Sequence, residues 1–274
     1  GSVGIHFQRR TAFNGSVQWA ETKQDDDWLP YTVNSAVLQP DTFPLPGTNT
    51  DGKARTLTLD ARLTTHPHPM VGGTLRYRSN EYKNETPGWE FDGQVPYDGS
   101  WSAGQFEAHP FGNKQQVLGV DVDVNPAKKI GLYAPFEHRE RERTFREILD
   151  DTEDAVEGKV VVRPMPSIQA SARVRHGSRE SDEFEIEDYQ NAGGTFIEQP
   201  TLRRYDVADR KQDLVDASVS WTGTKNIVLS LTVGYLENDY EMTELGLRDD
   251  LRRTASIDGS WNATDRLDLS GGFG

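Results

Sequence analysis

The chain has 274 residues, 34% of them hydrophobic, and 44 Asp and Glu against 30 Lys and Arg give a formal net charge of -14. That balance excludes a nucleic-acid partner, which would need a basic footprint, and no apolar run approaches a transmembrane helix. With no cysteine, the chain has no disulfide, no thiol chemistry and no CxxCH haem attachment of its own.

Taken in order, the chain is a series of short alternating segments. Val3, Ile5 and Phe7 alternate with Gly4 and His6. After a tight connection at Gln8 to Ala12, Phe13, Gly15, Val17 and Trp19 alternate with Asn14, Ser16 and Gln18. Period-two alternation places one set on each face of a sheet. A polar loop from about Thr22 to Lys53 carries Asp25-Asp26-Asp27 and the stretch WLPYTVN. Ala54 to Thr64 and Met70 to Ser79 are the next two strands, with His66-Pro67-His68-Pro69 as a stiff turn between them. A second long loop runs to about Gln115.

Val120, Val122 and Val124 define a fifth strand and Ile130, Leu132, Ala134 and Phe136 a sixth, joined at Asn125 to Lys128. HRERERTFREILDDTED, from His138, reads as a charged loop or strand extension, because its apolar residues are too few to bury a helix face. Ala155 to Arg163 and Ile168 to Arg175 follow, separated by Pro164-Met165-Pro166, and then a long loop to about Arg210. Val215 to Trp221 and Ile227 to Tyr235 form the clearest hairpin, about Gly223-Thr224-Lys225. Its strands are about ten residues each, the length a tilted membrane-spanning strand needs. A loop through Asn238 to Asp250 leads to Ala255 to Trp261, and a last strand starts at Leu267.

Short turns and long loops alternate, as in outer-membrane barrels with short periplasmic turns and longer extracellular loops. Aromatics gather near strand ends on the apolar face: Trp221 and Trp261 beside short turns, and Trp19, Tyr77, Phe136 and Tyr235 toward long loops. Two aromatic girdles produce that pattern. The expected fold is therefore all-β: a large antiparallel transmembrane β-barrel, of which this chain supplies a partial barrel of about 12 strands. No signal peptide is visible. The ends read as strand, so residues 1–274 are expected to be a single barrel domain incomplete at both ends. A solvated β-sandwich with ordinary core aromatics is the bland alternative.

The face opposite the apolar stripe carries Asp60, Arg62, Arg76, Arg78, Asp121, Asp123, Glu157, Lys159, Arg163, Arg173, Arg175 and Asp258. Isolated charges are costly in a packed core, so the lumen is expected to be wide and to hold water or a folded polar partner. These residues are the candidate lumen-facing partner contacts, although most serve equally as cross-strand ion pairs worth about 0.2–1 kcal/mol each. His6, His66, His68, His109, His138 and His176 show no zinc-like spacing. Asp25 to Asp27 offer the carboxylate oxygens calcium prefers, without the spaced ligands that mark a site, and Asp249-Asp250 is weaker. No nucleophile elbow and no phosphate loop is present, so no enzymatic activity is expected.

Five stretches carry a resemblance. QDDDWLPYTVN (Gln24 to Asn34), LRYRSNEYKNETP (Leu75 to Pro87), ERTFREILDDTED (Glu142 to Asp154), LRRYDVADRKQD (Leu202 to Asp213) and NDYEMTELGLRDD (Asn238 to Asp250) resemble, in order, the MtrB/PioB family of outer-membrane β-barrels. The resemblance implies a bacterial outer-membrane sheath around a periplasmic multihaem c-type cytochrome inserted in the lumen, which often meets an extracellular multihaem cytochrome. Electrons then cross the membrane along haems carried by the partner, while the barrel binds none and performs no redox step. Members serve export of electrons to metals or import from Fe(II). Some carry an N-terminal Cys-x-x-Cys, which this chain lacks. The alternatives are a general diffusion porin or transporter for small polar solutes, and a soluble or cell-surface β protein binding a partner through acidic loops.

Overall fold

A computed structural model of the chain describes residues 1–7, 10–37, 44–183, 204–224, 226–241, 243–264 and 267–274. Twelve strands form one antiparallel sheet, each paired with its neighbours in chain order. They are β1 (Ser2–Phe7), β2 (Thr11–Gln24), β3 (Gly52–His68) and β4 (Val71–Asn84), then β7 (Asn113–Ala127), β8 (Ile130–Arg143), β9 (Asp150–Met165) and β10 (Ile168–Ser181). The last four are β11 (Arg210–Thr224), β12 (Ile227–Asp239), β13 (Asp249–Thr264) and β14 (Leu267–Phe273). A separate hairpin of β5 (Trp89–Gln94) and β6 (Ser102–Ala108) stands in the loop between β4 and β7. One continuous twelve-stranded sheet is the wall of a barrel, not the two packed layers of a sandwich.

The register sorts side chains strictly by face. Phe13, Leu63, Leu75, Val120, Phe136 and Val156 lie in one row across six strands. Ala170, Val219, Leu231, Ile257 and Phe273 continue the same face across the next five. This apolar face is open: Leu231 is 49% and Ile257 54% exposed. A contiguous apolar surface of this extent marks a membrane-facing belt. On β12 the belt runs from Ile227 to Tyr235, about 26 Å of strand at about 3.3 Å per residue. Tilted by about 40°, that rises about 20 Å, most of the roughly 25 Å apolar band of an outer-membrane barrel.

The strands outrun the apolar belt, which the expected boundaries did not anticipate. β8 continues to Arg143 and β9 starts at Asp150, so most of the charged segment after His138 is strand extension and only residues 144–149 are loop. Ladder hydrogen bonds join main-chain groups, so they continue where the apolar side chains stop. Two proposed turns also shrink. His66, Pro67 and His68 belong to β3, and Asn125, Pro126 and Ala127 to β7. In each case the register shifts where the proline sits, between Thr65 and His68 and between Val124 and Ala127. A proline has no ladder donor, and a bulge is where none is needed.

Candidate functional site

The apolar belt is bounded as the aromatic pattern predicts. At the short-turn end Trp221 pairs with Ile168 and Leu229, and Trp261 with Ile227 and Leu269. Toward the long loops, the Tyr77 hydroxyl donates to Gln116 Oε1 at 2.8 Å and the Tyr235 hydroxyl to Glu237 Oε2 at 2.6 Å. Beyond that level the outward face turns ionic: Arg55 donates to Glu21 at 3.0 Å and to Glu85 at 2.9 Å, and His138 Nδ1 lies 2.7 Å from Asp154.

All twelve predicted lumen residues lie on the opposite, polar face. They do not converge on one point; they spread over β3, β4, β7, β9, β10 and β13. Three ion-paired groups organise them. Arg78 Nε stands 2.7 Å from Asp60 Oδ1. Arg76 donates from Nη2 to Asp121 Oδ1 at 3.0 Å, its Nε being 3.0 Å from Oδ2. Arg173 donates to Asp216 at 2.6 Å and lies 3.8 Å from Glu157. Glycine makes room for the second of these arginines to lie flat: Gly119 faces Arg76, and a Cβ there would stand 3.0 Å from its guanidinium. Arg163 is held by Gln169 Oε1 at 2.9 Å. Part of this wall, around Arg62, Arg76, Arg78 and Arg139, forms a groove of about 640 Å³.

The densest packing lies at the loop end, where the sequence suggests a charged loop or strand extension. Glu147 and Val207 are fully enclosed, with Ile148, Ala208, Asp151, Glu153 and Arg179 nearly so. The loops 144–149 and 204–209 fold onto the polar face of the β9 and β10 extensions. Arg141 reaches Asp151 at 2.7 Å and Glu153 at 2.9 Å, and Arg210 reaches Glu153 at 2.8 Å. Arg179 donates to the carbonyls of Tyr205, Asp206 and Ala208. Glu147 accepts from Arg146 at 2.8 and 3.1 Å. Burial works against its charge, but Arg146, its own backbone N–H and Arg204 outweigh that and hold the carboxyl below the ordinary Glu value. A signal for this lip was present in the RERER run. At period two it sends Arg139, Arg141 and Arg143 to the inner face and Glu140 and Glu142 to the outer one.

The other long loops share an aromatic cluster. Trp28 packs edge-on to Trp89 at 5.0 Å and Tyr31 to Trp101 at 5.0 Å, and Trp89 Nε1 donates to the Thr50 carbonyl at 2.9 Å. His109 stacks on Phe145 at 4.4 Å, joining the β4–β7 loop to the inner lip. The remaining histidines with described side chains are peripheral: His66 and His68 are exposed, and His176 lies 2.8 Å from Asp213. Asp25, Asp26 and Asp27 are exposed, Asp25 accepts from Asn49 at 2.7 Å, and the described residues contain no group of three or more ligands placed to hold a metal.

An apolar belt between aromatic girdles, a charged opposite face and long loops packed on that face at one end define the wall of an outer-membrane β-barrel. The profile of the family described as outer membrane beta-barrel porin, MtrB/PioB, matches residues 1–273, and the chain belongs to that family. It is similar to Outer membrane protein MtrB of Shewanella baltica (strain OS185), 21% identical over 158 residues that cover 58% of this chain and 22% of that protein. Among solved structures, a mutant of the ferric enterobactin receptor PfeA of Pseudomonas aeruginosa superposes with a TM-score of 0.65 at 11% identity, over 99% of this chain and 40% of that one. The copper transporter OprC gives a TM-score of 0.50 at 9% identity, over 96% of this chain and 40% of that one. These two likenesses are of fold. The protein resides in the bacterial outer membrane as a porin-like barrel, and the reading as a soluble β protein is set aside.

Proposed function

We propose that this wall is part of an insulating sheath. The barrel encloses a periplasmic multihaem c-type cytochrome whose haems carry electrons across the outer membrane. The observation that carries the reading is the inner face at mid-height. Its charged side chains are exposed or half-buried, Arg62, Arg78 and Lys159 openly so, and among the described residues most of the buried side chains lie at the loop-end lip. A lumen so lined has space and polarity for a folded occupant. The apolar belt separates that occupant from lipid, and family membership supports its being a cytochrome. Haem belongs to the occupant, because a chain without cysteine has no thiol to attach it. Where the lip meets an extracellular cytochrome, the conduit extends outside the cell.

The test is a visible absorption spectrum of the complete native protein, purified gently in detergent through a tag on the barrel. A stoichiometric haem Soret band that stays with the barrel through size-exclusion chromatography is expected. A colourless monodisperse barrel that passes small polar solutes in liposomes would replace the sheath with a diffusion porin.

A further inference from the structure

The cations of the inner wall are not all neutralised by the wall itself. Arg62 stands directly opposite Arg76, and Lys159 directly opposite Arg173. Like charges facing each other across a ladder are unfavourable. In each pair the acids are committed to one member, Asp121 to Arg76, and Asp216 with Glu157 to Arg173. Arg62 and Lys159 have no ion pair or hydrogen bond from any described side chain. Arg175 is in the same position. It stands opposite Glu157, but that carboxylate lies toward Arg173, and no described carboxylate reaches Arg175. Asp258, a candidate of opposite sign, is on β13, three strands beyond β10; it accepts from Ser256 at 3.4 Å.

We infer that Arg62, Lys159 and Arg175 are docking points for carboxylates on the surface of the protein that fills the lumen, so that the face it turns to β3, β9 and β10 is acidic. This rests on the sheath reading and adds the chemistry of its contact. Spacing selects a folded protein over a small anion. β3 and β9 are four ladder steps apart, about 19 Å at about 4.8 Å per step, too far for one small anion to bridge. A partner carboxylate supplies each unpaired cation with a charge-assisted hydrogen bond and relieves the two like-charge pairs. Such contacts also fix the rotational setting of the occupant, because charge complementarity sets register.

The test compares three forms of the complete native protein, each purified with its haem-bearing partner and washed at rising NaCl concentration. These are the wild type, the reversal triple Arg62→Glu/Lys159→Glu/Arg175→Glu and the neutral triple Arg62→Gln/Lys159→Gln/Arg175→Gln. The readout is Soret absorbance per barrel after sizing, with heat-modifiable gel migration to confirm folding. The wild type is expected to keep its haem at low salt and lose it as salt rises. The reversal triple should retain at least tenfold less at low salt, and the neutral triple should lose it at an intermediate concentration. Wild type that holds haem, with a folded reversal triple holding as much at every salt concentration, overturns the inference and leaves the sheath standing. If the reversal triple does not fold, the neutral triple decides: retention equal to wild type throughout overturns the inference. Wild type without haem at any salt overturns both.

Discussion

At the residue scale, neighbouring positions on one strand have opposite surroundings. Leu231 lies in the apolar row between Val219 and Ile257, while Ser230 faces the lumen between Ser220 and Asp258. Leu231→Arg is expected to cost about 2–4 kcal/mol, the penalty for a cation on the lipid face at mid-depth. Ser230→Arg should cost well under that, since Asp258 stands opposite to receive it. Urea unfolding of the protein in lipid vesicles measures both, and equal costs would contradict the assigned faces. Arg179 makes a different kind of contribution. It donates to three loop carbonyls, and Arg179→Leu leaves that of buried Ala208 without this donor, at about 1–3 kcal/mol for an orphaned group. The loss should fall on the loop that Arg179 pins. Limited proteolysis should cut within 204–209 faster in the variant, with the strands still protected, and unchanged cleavage would show that the guanidinium does not hold the loop.

At the scale of the element, the inner lip carries a pH dependence. Glu147 has its folded pKa below the ordinary value of 4.5, so its contribution is complete above that value and is lost as the pH falls through the lower folded one. Hydrogen exchange in 144–149, corrected for its intrinsic pH dependence, should be flat from neutral pH to about 4.5 and rise below. Glu147→Gln should remove the rise, and a rise beginning near neutrality would assign the opening to another group. The β5–β6 hairpin is held by the aromatic cluster, so Trp89→Ala should raise exchange in 89–94 and 102–108 without changing β4 or β7; equal exchange in both proteins would mean that the hairpin holds itself. Legibility differed between these elements for a physical reason. Strands in the belt were readable because lipid demands an apolar side chain at every second position, as in Val219 and Leu231. β5 and β6 were not, because WEFDGQ is short and packs by aromatic edges rather than by an alternating face. The ends of β8 and β9 were obscured because outside the lipid the alternation persists in charge alone.

At the scale of the whole molecule, the sheet keeps lipid on one side and charge on the other across twelve strands in chain order. That division was legible from alternation, and in the register all twelve charges share the face opposite the apolar row. Which of them pair was not legible, since Arg76 and Arg173 take their acids from neighbouring strands, Asp121 on β7 and Asp216 on β11. Nor was the lip, because residues 144–149 and 204–209 come together only through β9 and β10. A sheath must pass electrons and exclude solutes together, and a porin must do the reverse. The most direct measurement places the complete protein, with its co-purified partner, in sealed liposomes loaded with an oxidised viologen dye and a small radiolabelled sugar, then adds dithionite outside. The account predicts rapid reduction of the internal dye while the sugar stays inside. Sugar escaping through the barrel, or dye that stays oxidised although haem is bound, would contradict it.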